Sequence, residues 1–372
     1  MFRLLFALIA TLVIVGMNYY VYTRFLRRIG LFAKVRPWLK WGMVAIVGLE
    51  ILFFMTLRFD TLTSEVFLVI ASLLGISFML FCVALVYDLV HIPLMRKSYD
   101  ASRRMVLKTL LDVTMLILAV SYILKGFIGG FSLPKVTEVV VRLRGLSKPL
   151  EVVQVTDVHI GKVLGKGFLE EIVRSINTLG ADIVVITGDL VDLEVEKIGD
   201  ALEPLRDIRS TYGVYFVPGN HEYFHGVGGI LTHLEALHVK VLGNTHINIG
   251  GINLAGVYDL MANRMNHPLK PDIKAALAGC DANMPTVLLA HQPKYLTQLS
   301  GKEPLDLVLC GHTHGGQIFP FGLLVLLDQP YVYGLYQHTS RTQVFVSSGA
   351  GYWGPPVRVM APSEIVKLSL RS

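Results

Sequence analysis

The chain has 372 residues, of which 53% are hydrophobic and only 17% charged, against about 25% charged in an ordinary soluble domain. That deficit argues against a wholly water-soluble protein. The formal net charge of +6 gathers largely in two short basic loops between apolar runs, which is a membrane-topology signal, so no nucleic-acid partner is expected. Cys82, Cys280 and Cys310 are odd in number and lack a CxxC pair, which argues against a zinc knuckle or disulfide framework and for buried free thiols.

Four apolar stretches come first, near residues 4–22, 41–57, 66–87 and 107–128. A helix needs about 20 apolar residues to cross the hydrocarbon core. The first and third are long enough. The second is short and carries Glu50, and the fourth carries Asp112 and Lys125. The first lacks a small-residue cleavage site, so it reads as a retained helix rather than a signal peptide. Arg24, Arg27, Arg28, Lys34, Arg36 and Lys40 follow it, and Arg96, Lys97, Arg103, Arg104 and Lys108 precede the fourth. Only Arg58, beside Asp60 and Glu65, separates the second from the third. The positive-inside rule puts both basic loops in the cytoplasm. Four spans then make a multi-pass protein of the cell (inner) membrane, with the C-terminal domain on the outer, periplasmic or extracellular, face. One span more or fewer reverses that side. Glu50 and Asp112 are expected to pair between helices or to lie near headgroups, since a transport path needs more polar groups than these.

The expected division is a transmembrane region of four helices over 1–131, a linker over 132–148 and a second domain over 149–372. From Leu150, short β-branched runs at 152–155, 183–186, 214–217, 287–289 and 307–309 read as buried strands. Phe168, Leu169, Ile172, Val173 and Ile176 have helical spacing. Strands alternating with helices imply an α/β layered domain.

Each of those strands ends in polar residues of one chemical kind: Asp157 and His159; Asp189; Asn220, His221 and Glu222; His291; His312 and His314. Sites in α/β sheets form outside the carboxyl ends of strands. Side chains at i and i+2 of an extended segment share one side, so Asp157 with His159, and His312 with His314, can reach one cluster. A single Asp-x-His or His-x-His is weak. Five such strand ends in one domain-sized span are strong, and mixed imidazole and carboxylate donors suit Mn, Fe, Zn or Ni better than Ca or Mg.

These motifs resemble those of the calcineurin-like metallophosphoesterases, in particular a membrane-associated bacterial branch. They read Asp157-Val-His159, Gly188-Asp189-Leu-Val-Asp192, Gly219-Asn220-His221-Glu222, His291 and Gly311-His312-Thr-His314, with Gly315-Gly316-Gln317 and Ser347-Ser348-Gly349-Ala350-Gly351 supporting the branch. The resemblance covers about residues 150–370. It implies a layered β-sandwich flanked by helices and two divalent or trivalent metal ions. Asp157, His159, Asp189 and His314 would hold one metal; Asp189, Asn220, His291 and His312 would hold the other, with Asp189 bridging. It implies metal-activated hydroxide attack on a phosphoester and a catalytic His221 that stabilises charge or protonates the leaving oxygen.

Asp192 reads equally as a cap or as a group orienting His221 or a ligand. Arg358 reads first as a surface charge and second as a phosphate contact. The apolar run 318–327 is either core or an exposed lip facing a bilayer or an acyl chain. The function expected is a membrane-anchored phosphodiesterase or pyrophosphatase with a membrane-proximal or lipid-linked substrate, although a nucleotide-sugar lipid suits a cytoplasmic domain better. The rival is an inactive phosphoesterase-fold receptor or scaffold.

Overall fold

The computed structural model describes residues 2–56 and 62–372. Leu57, Arg58 and Asp60, which enter the topology argument, lie outside them. Two compact units are present: Met1–Ile128 with Gly354–Val357, and Gly129–Trp353 with Arg358–Ser372.

The first unit holds α1 (Phe2–Tyr20), α2 (Arg36–Thr56), α3 (Ser64–Arg96) and α4 (Ala101–Phe131), with a π turn and two 3-10 turns after α1. Among the described residues, three helical stretches are long and apolar enough to cross a membrane: Leu8–Arg28, Ser64–Arg96 and Ala101–Phe131. Large apolar side chains point outward from them, with Leu12, Ile117 and Leu124 more than half exposed, as a lipid-facing surface requires. Glu50 and Asp112 are paired between helices. Glu50 on α2 accepts from Asn18 Nδ2 on α1 at 2.7 Å, and Asp112 on α4 accepts from the Tyr87 hydroxyl on α3 at 2.9 Å.

The second unit is built on two six-stranded sheets. The first contains β1 (Lys135–Arg142), β2 (Leu150–Val155), β3 (Ile183–Thr187), β4 (Val214–Val217), β5 (Val239–Val241) and the last strand, β12 (Glu364–Arg371), in the order β1-β12-β2-β3-β4-β5. The second contains β6 (Thr245–Ile249), β7 (Ile252–Gly256), β8 (Thr286–Leu289), β9 (Leu307–Cys310), β10 (Gly334–Gln337) and β11 (Gln343–Val346), in the order β10-β11-β9-β8-β7-β6. β2, β3, β4 and β5 are mutually parallel, as are β7, β8 and β9. Part of the stretch expected as linker, 132–148, is β1, which pairs in parallel with β12 in the register Val139↔Leu368. Its partner lies more than 200 residues away, and its edge position leaves most of its side chains partly or fully exposed, so local pattern alone does not reveal it.

Strand alternation assigns side chains to layers. Val153, Val155, Val184 and Ile186 pack toward α5 (Lys166–Asn177), α6 (Val195–Leu202) and, past the short α7 (Asn220–Phe224), α8 (Val227–Ala236). Val152, Ile183, Val185 and Val217 instead meet Leu254, Val287, Leu289 and Leu309 of the other sheet. Each such buried side chain contributes about 1.5–3 kcal/mol, so the inter-sheet layer fixes how the sheets stack. Gln154 pins that stack at the strand ends, donating from Nε2 to Thr187 Oγ1 at 2.9 Å and to the Cys310 carbonyl at 3.0 Å.

Candidate metal centre

That stacking brings the ends of β2, β3 and β4 against those of β8 and β9. The backbone N–H of His312 donates to both Asp157 carboxylate oxygens at 3.0 Å, and that of Gly311 donates to the His291 carbonyl at 2.9 Å. His291 Nδ1 lies 2.8 Å from the Thr187 carbonyl. With Nδ1 as the donor, Nε2 is left free as an acceptor or ligand.

Three groups of metal-ligand type result among the described residues, one of them His159 with Asp192 and His221; the other two consist of proposed ligands. Asp157, His159 and His314 form one, and Asp189, His291 and His312 the other, each with donor atoms within 4.8 Å of one another. His159 Nε2 and His314 Nε2 are 3.0 Å apart. His314 Nε2 is 3.5 Å from Asp157 Oδ1. His291 Nε2 is 3.2 Å from Asp189 Oδ2 and 3.2 Å from Asn220 Oδ1. His221 Nε2 lies 3.9 Å from Asp189 Oδ2. All eight residues proposed from the sequence therefore lie in one cluster, with His312 half-buried and the others buried.

Backbone strain concentrates here. Of the ten non-glycine residues with positive φ among the described residues, five are Asp157, His159, Asp189, His312 and His314. Each such conformation costs about 1 kcal/mol or more and persists where surrounding structure imposes it. Gly349 shows how tight the surround is: a Cβ there would lie 2.7 Å from the Cβ of Asp157, at a φ of +81°.

Three further residues complete the site. Asp192 Oδ1 is 2.7 Å from His159 Nδ1 and 2.6 Å from His221 Nδ1, the second contact lacking hydrogen-bond alignment. It touches both rings, so orientation rather than capping describes it. Glu222 is fully buried and accepts from the backbone N–H of Asp189 at 3.0 Å, Leu190 at 2.8 Å and Gly219 at 2.6 Å. It ties the β3 loop to the β4 loop, a role that its place beside His221 did not disclose. Arg358 corrects an expectation: it is not a surface charge but 2% exposed. Its guanidinium donates to the carbonyls of Ser348 at 2.8 Å and Ala361 at 3.0 Å and reaches His314 Nδ1 at 3.1 Å. The glycine-containing turn at 347–351 offers the carbonyls that satisfy this fork of donors.

The histidines of the cluster are shifted in opposite directions: burial works against protonated His291, but the adjacent Asp189 outweighs it and holds that ring well above the usual range. Burial works against protonated His221, but the Asp189 and Asp192 carboxylates outweigh it and push the imidazole up to about 9. Burial, then the nearby His291, drives His312 down to about 3. Burial, then His159 and Arg358, holds His314 well below the usual range. Neutral rings at His312 and His314 are the form that binds metal. A protonated ring at His221 is the form that donates a proton.

The calcineurin-like phosphoesterase family model matches residues 150–316. An uncharacterized metallophosphoesterase of Helicobacter pylori is 43% identical over 311 residues, 84% of each chain. A counterpart in Campylobacter jejuni is 35% identical over 373 residues, covering 100% of this chain and 99% of that one. A Danio rerio transmembrane protein with metallophosphoesterase domain is 37% identical over 259 residues, 66% of this chain and 59% of that protein. With these relatives, two stacked sheets and clustered histidines and carboxylates, the chain belongs to the calcineurin-like family of dimetal phosphoesterases.

Proposed function

We propose that the protein is a membrane-anchored phosphohydrolase, a phosphodiesterase or pyrophosphatase, acting on a membrane-proximal or lipid-linked phosphoester. The observation that carries this reading is the meeting of Asp157, His159 and His314 with Asp189, His291 and His312 at the ends of strands from both sheets. The donor set fits two ions of the Mn, Fe, Zn or Ni type: imidazole and carboxylate mixed, with Asn220 Oδ1 directed at the same point as His291 Nε2. Asp157, His159, Asp189 and His314 would hold one ion; Asp189, Asn220, His291 and His312 the other. When bound, such a pair supplies the Lewis acidity that activates water and balances charge on the phosphoryl oxygens.

The chain's own groups do the rest. Glu222 sets the backbone that carries Asp189. Asp192 holds the rings of His159 and His221 in place. His221 carries a proton and gives it to the leaving oxygen. The Trp353 ring centroid lies 6.1 Å from that of His221, and this apolar neighbour supports a substrate with an apolar portion.

Four crossings put the catalytic unit on the outer face, and the side depends on α2, which carries Arg36, Lys40 and Glu50. A reporter fused to the C-terminus reads the outer compartment if α2 crosses and the cytoplasm if it does not. The deciding test of activity is purified full-length protein with defined metals, screened against monoester, diester and lipid-phosphate substrates. Metal-dependent turnover of diesters or lipid phosphates is expected. No turnover with any metal would leave the inactive receptor or scaffold.

A further inference from the structure

Directly after His314, residues 315–327 contain no charged side chain. The segment is ordered, not loose. Ile318 is buried and bridges to Val359. The N–H of Phe321 bonds the Ile318 carbonyl at 2.7 Å, that of Leu324 bonds Phe321 at 2.8 Å, and that of Gln329 bonds Val325 at 2.8 Å. On this fixed loop Phe319 is 52% exposed, Leu323 64%, Leu324 54% and Leu327 84%. The Gln317 side-chain amide donates to the Trp353 carbonyl and accepts from its N–H, both at 3.1 Å, which adds a half-exposed indole beside the run. An ordered, contiguous apolar patch of this kind marks an interaction surface.

We infer that this patch inserts into the hydrocarbon boundary of a lipid bilayer leaflet and seats the mouth of the metal centre on the membrane. The inference rests on the membrane attachment proposed above. Three observations favour lipid over a protein partner. Only residues 132–134 separate α4 from β1, a reach of at most about 11 Å, so the catalytic unit is held close to whatever α4 enters. The run 318–327 carries none of the hydrogen-bonding side chains that a protein interface supplies at about one bond per 100–200 Å². Phe and Leu with a flanking Trp is the composition that enters the headgroup–acyl boundary.

The test uses full-length protein in lipid nanodiscs, with Cys82→Ser, Cys280→Ser and Leu327→Cys, and a nitroxide on the introduced thiol; Cys310 is buried. Relative to a water-soluble nickel chelate, oxygen should relax this nitroxide about fivefold more than one at Lys302→Cys, an exposed loop position. Leu324→Cys serves if the first variant does not fold. Equal ratios at patch and control, or spin–spin broadening from a second copy, would overturn insertion. Leu323→Asp with Leu327→Asp should lower turnover of a vesicle-embedded phosphodiester about tenfold while leaving a water-soluble aryl phosphodiester within about twofold; equal loss on both would also overturn it. The nitroxide reads insertion without turnover, so a protein that inserts but hydrolyses nothing defeats the proposed function and not this inference.

Discussion

Asp88 and Asp112 of the helical unit and the aspartates of the metal centre are one buried residue type in two opposite settings. In the helical unit Asp88 meets Arg24 Nε at 2.6 Å, Arg28 Nη1 at 2.7 Å and the Tyr20 hydroxyl at 2.7 Å. Asp112 meets Lys108 Nζ at 2.6 Å and the Gly30 N–H at 3.0 Å. Permanent cations cancel these acids, and the result ties helix to helix. In the catalytic unit the ion-pair contacts of Asp157, Asp189 and Asp192 among the described residues are to histidines. Histidine is a cation only while it holds a proton. The charge on those acids is therefore balanced by protons, which ions from solution can replace at Asp157 and Asp189. A buried acid by itself is ambiguous, and the nature of its neighbour separates a structural pair from a site.

The comparison breaks most sharply at Asp189. Asp189→Asn should cut turnover of an aryl phosphodiester at least about a hundredfold and lower bound metal by elemental analysis. Turnover near that of the unaltered protein would remove the two-metal assignment. His221→Ala should also lose about a hundredfold in rate, but with its metal content intact. If that variant loses both ions, His221 is a ligand and its assigned role is wrong. Asp88→Asn tests the other side. Thermal unfolding in detergent should begin about 2–4 °C lower, while turnover of a soluble diester stays within about twofold; a large loss of turnover would erase the distinction drawn between the units.

The smallest effect concerns Glu151, which joins β2 to β12 through Arg371 and the Ser369 hydroxyl, the latter at 2.7 Å. Burial alone would raise its carboxyl, but Arg371, Ser369 and Lys367 outweigh burial and lower it. A depressed carboxylate stabilises the fold above its unfolded value, near the usual glutamate range. That contribution fades as pH falls through the depressed value. Glu151→Gln should therefore flatten the acid limb of stability by less than about 1 kcal/mol, read by denaturant melts across pH, and leave neutral-pH turnover unchanged.

The parts that depend on near neighbours along the chain are legible in the residues alone. Helix length and strand period are local, so the apolar helices and the runs at 152–155, 183–186, 214–217, 287–289 and 307–309 were readable, and with them the eight polar residues at their ends. A strand end is also where the backbone leaves its ladder, which is why ligand-type residues can gather there. The rest depends on partners far along the chain. β1 needs β12 beside it. Arg358 is buried because the carbonyls of Ser348 and Ala361 and the ring of His314 surround it. Asp192 becomes an orienting group because His159 and His221 arrive from different strands. The run 318–327 has the composition of a core strand, yet beyond the buried Ile318 most of it lies outside, with Leu323 and Leu327 exposed, because side chains of the two sheets and their adjoining loops fill the shared core. Composition sets what a segment prefers to touch, and packing decides what is there to be touched.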